Sequence, residues 1–453
     1  KFAENPQTST AVSCLAGPST MLIEFSVSNF RSILTRQTLS MTASPDAAHR
    51  QRNVSPGGAK DLHLLRSAVV YGPNAAGKSN LMRAVESLRG LVQNSATGFQ
   101  EGQAIPVTPF LFSTAPSTQP SEFEIIFIAD DGVRYHYCCA VSTERVFKEW
   151  LVAYPLGRAQ RWFERAYDSA TRTQSWWFGP NFNAERAERK VWQDFTRDNA
   201  LFLSTAIQLN NAQLRPVFNW ITQNLIVLVP GVGLNPFLSL NLLREGSGRE
   251  QIMRFMRAAD IGIDRMELLE EDLTAAPSTV MPAGTMGIHF EIGPQPGASP
   301  AIQQQTRFRV LAWHKRADSE EDVPLDISDE SDGTQKLFEF SGGWLHALKR
   351  GATLLVDELD RSLHPHMTRF LLGLFHGRSN EKNAQLVITT HDTTLLDIDL
   401  LRRDQIWFVE KDNDQSTRLY SLLEYSPRKD EALERGYLKG RYGAIPFIGD
   451  FGA

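Results

Sequence analysis

The sequence predicts an α/β fold: a mixed sheet with flanking helices and an antiparallel β subdomain, split by a mainly helical insertion. Three observations predict it. Roughly the last 120 residues alternate helical and extended patterns, which argues for a parallel sheet covered by helices. An apolar run ending at Tyr71 enters a Gly-rich loop, Gly72 to Ser79, and a helical pattern follows at once. A second apolar run ends on Asp357-Glu358, with Lys78 and Asp357 279 positions apart.

The elements follow in order. Residues 1–20 are rich in Ser, Thr, Pro and Gly and lack the basic start and long apolar core of a signal peptide. They read as an upstream or vector-derived leader, a native flexible N-terminus being the alternative. Leu22 to Val27 alternates with period two, as a strand does, and Asn29 to Ser32 reads as a turn. Leu64 to Tyr71 reads as one buried strand. Leu81, Val85, Leu88 and Val92 place a helix over 79–92. Residues 122–140 read as a hairpin turning at Asp130-Asp131-Gly132, and strand-like aromatic material continues over 145–165. Segments 184–225 and 248–273 read as mostly helical, with Ile252, Phe255, Met256 and Ala259 on one face. A Pro/Gly/Ser-rich stretch, 276–300, marks a loop or hairpin edge. A strand over 306–313 and an acidic loop over 318–332 precede helix 334–350, strand 352–357, helix 365–377, strand 384–390, helix 393–402 and strand 405–410. The expected organisation is a leader (1–20), the first half of a split domain (21–165), an inserted, mainly helical lobe (166–304) and the second half (305–453).

Composition bounds the function. The chain has 453 residues, 42% hydrophobic and 22% charged, enough for a large core and not a disordered composition. A net charge of −5 weighs against a protein dominated by nonspecific nucleic-acid binding, while a local basic patch stays open. Cys14, Cys138 and Cys139 form no disulfide framework and no CxxC metal site, which suits a reducing, cytoplasmic compartment. The most apolar region, Leu225 to Leu243, is interrupted by Pro230, Gly231, Gly233, Asn235 and Pro236, so no membrane span is expected.

Four motifs carry chemistry. Gly72-Pro-Asn74-Ala-Ala-Gly77-Lys78-Ser79 is a full GxxxxGK[ST] phosphate-binding loop, extended by Asn80. Its glycines let backbone N–H groups curl round phosphates, and the following helix start adds a positive dipole end. Lys78 is expected on the β- and γ-phosphates and Ser79 on Mg²⁺, so ATP and Mg²⁺ are the expected cofactors. Asp357, at the end of an apolar strand, is expected to hold Mg²⁺, directly or through water. Glu358 is placed to polarise the attacking water as general base. His391 ends a third apolar strand and is expected to hydrogen-bond and sense the γ-phosphate. Ser331 and Gly333, at the start of helix 334–350, offer a hydroxyl and a backbone N–H to a phosphate. Ser341-Gly342-Gly343 is the rival for that role, but lies mid-helix and only 16 residues before Asp357. His364-Pro365-His366 reads as a helix start rather than a metal pair.

Several strings, MLIEFSVSNFRSI, VVYGPNAAGKSNLMRAV, ESDGTQKLFEF, TLLVDELDRSLHP, VITTHDTTLLD and YLKGRYGAIPFI, resemble the prokaryotic ABC-type ATPases of the AbiL/RloA group, relatives of the SMC/RecF/OLD heads. The ATPase subunit AriA of the PARIS anti-phage system belongs to the same broad class. The resemblance covers about 21–165 and 305–450, and weakly Asn199 to Asn210. It implies an ABC-type head, split by its insertion, that dimerises around two ATP molecules. It implies abortive-infection defence against phage, a separate effector nuclease or toxin, and a phage trigger protein as a further partner. Carried over by position, Lys78, Ser79, Asp357, Glu358 and His391 keep the expected types. Asp360 takes the D-loop place, and Arg31 in the NFRS turn is implied to contact nucleotide. Ser331 and Gly333 take the signature place, acting on nucleotide of the second subunit, although Asp332 departs from Ser-Gly-Gly. No Q-loop glutamine is placed.

The alternative is an SMC/RecF-like ATPase acting on DNA in repair or recombination, which calls for a basic groove and usually a long coiled coil. The insertion lacks sustained heptads and the chain is acidic. A transporter subunit is disfavoured by the large insertion. A GTPase is disfavoured because no NKxD-type base-reading motif occurs.

Overall fold

A computed structural model describes residues 20–58, 61–113, 119–229, 237–259, 261–272, 306–426 and 432–446. The expected leader up to residue 19, Cys14 within it, and the stretch 276–300 lie outside the described residues.

The chain opens with β1 (Met21–Ser28), β2 (Gln37–Ser40), the one-turn helix α1 (Arg50–Asn53), β3 (Val54–Pro56) and β4 (His63–Leu65). Next, β5 (Ser67–Tyr71) runs through the Gly-rich loop into α2 (Lys78–Asn94). Five strands follow: β6 (Ser121–Ile128), β7 (Arg134–Val141), β8 (Val146–Tyr154), β9 (Gln160–Asp168) and β10 (Thr173–Phe178). Then come α3 (Arg186–Phe195), α4 (Phe202–Gln208), α5 (Arg215–Asn219), β11 (Leu225–Leu228), α6 (Phe237–Arg244) and α7 (Gly246–Ala258). Strands β12 (Arg265–Asp272), β13 (Thr306–Lys315) and β14 (Asp322–Asp326) precede α8 (Asp332–Arg350). The last stretch is β15 (Thr353–Val356), α9 (Pro365–His376), β16 (Gln385–Thr389), β17 (Ile406–Lys411), β18 (Thr417–Ser421) and α10 (Leu433–Leu438).

Two large sheets organise the molecule. A six-stranded sheet has the order β11-β15-β16-β5-β17-β18, parallel except for its edge strand β18. A seven-stranded antiparallel sheet has the order β10-β9-β8-β7-β6-β1-β2. Helix α2 lies between them. Its Leu81, Val85, Leu88 and Val92 share one core with Phe25, Phe123 and Phe127 of the antiparallel sheet and with Ala68, Leu355 and Val387 of the parallel sheet. The alternate residues Val69, Leu354, Val356, Leu386 and Ile388 face a second core with α7, α8 and α9. Burial on both faces explains why these strands are continuous apolar runs rather than alternating ones. The chain is thus an α/β head with a mixed sheet, flanking helices and an antiparallel β subdomain, as its sequence predicts. No helix among the described residues is long and apolar enough to cross a membrane.

Several local expectations change. The run Leu64 to Tyr71 is two strands, because the backbone N–H of Arg66 turns to Asn53 and β4 pairs with β3 instead. The expected helix over 248–273 stops at Ala258, and Arg265–Asp272 is a strand paired along its length with β13. Part of the expected acidic loop is β14, an edge strand that tolerates Pro324 because one side of its backbone is unpaired. No α-helix spans 393–402. Asp392 accepts from the N–H of Thr394 and Asp397 from that of Asp399, side-chain bonds that compete with the helix ladder and leave a short 3₁₀ turn. Sheet boundaries also fall elsewhere than the expected divisions. β9 and β10 carry the antiparallel sheet past residue 165, β11 of the inserted stretch is a strand of the parallel sheet, and β12 pairs with β13 across residue 304.

Candidate functional site

Strands β15, β16 and β5 are parallel neighbours, so their C-terminal ends lie side by side. That end of an α/β sheet is where ligands bind. It brings the Gly72–Ser79 loop, the Asp357–Asp360 turn and the Thr389–His391 strand end together, although they are far apart in sequence.

The loop is built for a close approach. Gly77 caps α2 with φ 113°, a conformation that favours glycine. A side chain there would also collide with Thr417, whose Oγ1 would lie 2.1 Å from its Cβ. Thr417 braces the loop from behind. Its hydroxyl donates to Ala76 O at 2.9 Å and pairs with Ser32 Oγ at 2.8 Å. Asn80 donates to the same Ser32 Oγ at 2.7 Å. The Asn29–Ser32 turn is therefore packed against the loop and the first turn of α2. Asn29 and Arg31 both take positive φ, and the Arg31 side chain is exposed beside Arg83 of α2. Partial burial and that second guanidinium hold Arg31 below its ordinary pKa.

Lys78 is 6% exposed. Its ammonium donates to Gly72 O at 2.8 Å, to Pro73 O at 3.1 Å and to His391 Nε2 at 3.0 Å. Burial lowers its pKa against the pull of Asp357, Glu358 and Asp360, which favour the charged form. Partial burial and the Lys78 ammonium together hold His391 below its ordinary value, so its Nε2 accepts as part of a neutral ring. Ser79 is half-buried in the first turn of α2, Asn74 is exposed on the loop and Gly72 is buried.

Asp357 is buried, and Thr389 Oγ1 donates to its Oδ1 at 2.6 Å. Glu358 follows with φ 52°, a left-handed conformation rare for a residue with a side chain, and its N–H donates to the same Thr389 Oγ1 at 2.8 Å. The Glu358 carboxylate is half-exposed, 3.7 Å from Arg361. Both carboxylate oxygens of Asp360 accept from the His391 N–H at 3.2 Å, so the strand end and the acidic turn are tied twice.

Ser331 is exposed and caps α8, its hydroxyl accepting from Thr334 N at 3.2 Å. Gly333 lies behind it, against the carbonyl of Ser362 in the turn after Asp360. The rival Ser341 is fully buried. Gly342 packs directly on α6, where a Cβ would lie 2.3 Å from Ser239 N. The Ser341-Gly342-Gly343 string is thus a helix-packing feature. His364 caps α9, as expected of a helix start, with Nδ1 accepting from His366 N at 3.2 Å.

The structure places Lys78, Asp357, Glu358, Asp360 and His391 in one cluster. Asn80 and the Ser32–Thr417 brace border the Gly-rich loop, with Arg31 next to Ser32 and near Arg83, and Gly333 lies against Ser362 just after the acidic turn. Sequence reasoning missed Thr389 and Thr417. The Thr389-Thr390 doublet at the end of an apolar strand, just before His391, was the available signal for the first. Thr417 lies on an edge strand with no motif around it.

Known structures with similar architecture include an SMC head bound to the C-terminal winged-helix domain of ScpA, at 13% identity, covering 88% of this chain and 97% of that one, with a TM-score of 0.39. The SMC head domain from Thermotoga maritima matches at 13% identity over 88% and 98%, with a TM-score of 0.37. The recombination mediator RecF of the RecFOR pathway matches at 12% identity over 90% and 100%, with a TM-score of 0.37. No curated protein matches at a significant level. A family model described as "AAA domain, putative AbiEii toxin, Type IV TA system" matches residues 67–203 and 303–397, just over half of the chain. The match includes the Gly-rich loop, the acidic pair and His391 and breaks off over residues 204–302, and the chain belongs to this AAA-domain family.

Proposed function

We propose that this protein binds and hydrolyses ATP with Mg²⁺, and that its head pairs with a second copy around the nucleotide. The observation that carries this reading is the convergence of Lys78, Asp357, Glu358 and His391 at the ends of three neighbouring parallel strands.

Each residue has a task its setting supports. The Gly72–Ser79 loop and the start of α2 would cradle the phosphates, and the buried Lys78 ammonium would exchange its loop carbonyls for phosphate oxygens. The Ser79 hydroxyl and the Asp357 carboxylate are an all-oxygen donor set, which fits Mg²⁺. When bound, Mg²⁺ supplies charge neutralisation at the phosphates. Glu358, half-exposed, would accept the proton of the attacking water. His391, neutral, would hydrogen-bond the terminal phosphate and hold Lys78 in line. Arg31 would meet the nucleotide from the NFRS turn. The exposed Ser331 and the half-buried Gly333, at the start of α8, would meet nucleotide held by a second copy, with Asp360 at the same junction.

Beyond the chemistry, we propose a regulatory ATPase in antiviral defence that controls a separate effector. The family description names a toxin and a toxin–antitoxin system, and the chain resembles the AbiL/RloA group over both halves of the head. The test has two arms. The purified protein is assayed for phosphate release and for ATP-dependent self-association. Expression with its neighbouring open reading frames is assayed for phage resistance that Lys78→Ala abolishes. Resistance independent of Lys78 would contradict the defence reading.

A further inference from the structure

The Thr389 side chain hydrogen-bonds both members of the Asp357-Glu358 pair. It sits at the end of β16, between the strand carrying the Gly-rich loop and the strand carrying the acidic pair, and is fully buried. Its hydroxyl donates to Asp357 Oδ1 at 2.6 Å and accepts from the backbone N–H of Glu358 at 2.8 Å. One residue on, the Leu359 N–H donates to the Thr389 carbonyl at 3.1 Å. Three consecutive residues of the acidic turn are therefore held by one threonine.

We propose that Thr389 is a positioning residue: its hydroxyl fixes which Asp357 oxygen faces Mg²⁺ and holds the left-handed backbone of Glu358 that aims the general base. This rests on the ATPase reading above. The hydroxyl's one proton is used on Asp357 Oδ1, so its lone pairs are left for the Glu358 N–H. That orders the two contacts and leaves Asp357 Oδ2 as the oxygen free to meet a cation. The Glu358 conformation is one that surrounding structure must impose, because a residue with a Cβ does not hold φ 52° cheaply. The bond to Thr389 and the neighbouring Leu359–Thr389 bond impose it. Valine matches threonine in shape and lacks the hydroxyl, so Thr389→Val deletes both contacts and takes that partner from Asp357 Oδ1 and the Glu358 N–H.

The experiment compares Thr389→Val, Thr389→Ala and Thr389→Ser in the full chain. Three measurements are made: steady-state ATP hydrolysis, affinity for a fluorescent ATP analogue with and without Mg²⁺ in a Glu358→Gln background, and amide exchange at Glu358 without nucleotide. The expected result is a kcat about tenfold to a hundredfold lower in the Val and Ala variants, with KM changed less than about threefold. In those variants Mg²⁺ no longer strengthens analogue binding as it does with Thr389 present, and the Glu358 amide exchanges faster. Thr389→Ser restores all three. Should Thr389→Val fail to fold, Thr389→Ala carries the same expectations. Wild-type kcat, Mg²⁺ response and amide protection in the Val and Ala variants would overturn the inference, as would a Ser variant as impaired as the Val variant. A wild-type protein that hydrolyses no ATP would overturn the ATPase reading, and the amide exchange would still decide the role of Thr389.

Discussion

Lys78 Nζ donates to His391 Nε2 across 3.0 Å, tying the Gly-rich loop to the end of β16. Residues 313 positions apart thus share one hydrogen bond inside the candidate site. The bond requires an unprotonated Nε2, which agrees with the downward shift of the His391 pKa by burial and by Lys78 itself. The two side chains have different expected roles. Lys78→Ala should abolish nucleotide binding, because the loop loses its buried charge. His391→Ala should keep binding and lower kcat by about tenfold to a hundredfold, because Lys78 loses the ring that holds it in line in the transition state. Equilibrium binding of a fluorescent ATP analogue, read beside steady-state turnover, separates the two. Equal loss of binding in both variants would contradict the division.

Acid sensitivity should trace to His376. It is buried behind β5, its Nε2 lies 2.9 Å from Ser67 Oγ, and its Nδ1 has no partner among the described residues. Burial, with Arg52, Arg66 and His49 nearby, pushes its pKa down to about 3 from 6.5. The unfolded chain therefore binds a proton that the folded chain refuses. The stabilising contribution of the neutral ring is complete above about 6.5 and is lost progressively as pH falls towards 3, reaching a few kcal/mol at the acid end. Urea unfolding at pH 7 and pH 4.5 should show a smaller acid loss in His376→Gln than in the wild type. An identical loss would remove His376 as the cause.

The two serine candidates on α8 should separate cleanly. Ser331 is exposed and caps the helix, so Ser331→Arg should cost about 1 kcal/mol of stability, spare ATP binding and block ATP-dependent self-association. Ser341 is buried against α6, so Ser341→Arg should prevent folding. Gly342→Ala should cost about 1–3 kcal/mol, because its methyl group would press on the backbone of Ser239. Light scattering with and without MgATP, together with thermal denaturation, reads all three. A soluble, assembly-deficient Ser341→Arg protein would reverse the assignment.

Much of the site was legible because its chemistry is concentrated in short strings. The Gly72–Ser79 loop, the Asp357-Glu358 pair and His391 each end an apolar run, and a buried parallel strand that ends on polar residues is a local pattern. What was not legible depends on distant partners. β11 is four apolar residues inside a longer apolar stretch, and only its register with β15 makes it part of the parallel sheet. Ser32 and Thr417 are ordinary hydroxyl residues until the fold sets them 2.8 Å apart behind Gly77. The helix expected over 393–402 failed for a local reason that spacing does not capture, since Asp392 and Asp397 turn their carboxylates onto nearby N–H groups.

The general-base role of Glu358 is decided by phosphate release from MgATP by the wild-type protein and by Glu358→Gln, with binding of the fluorescent analogue measured on the same samples. The wild type is expected to turn over, and the variant to retain binding with turnover reduced by about a hundredfold or more. Undiminished phosphate release by Glu358→Gln would contradict that role.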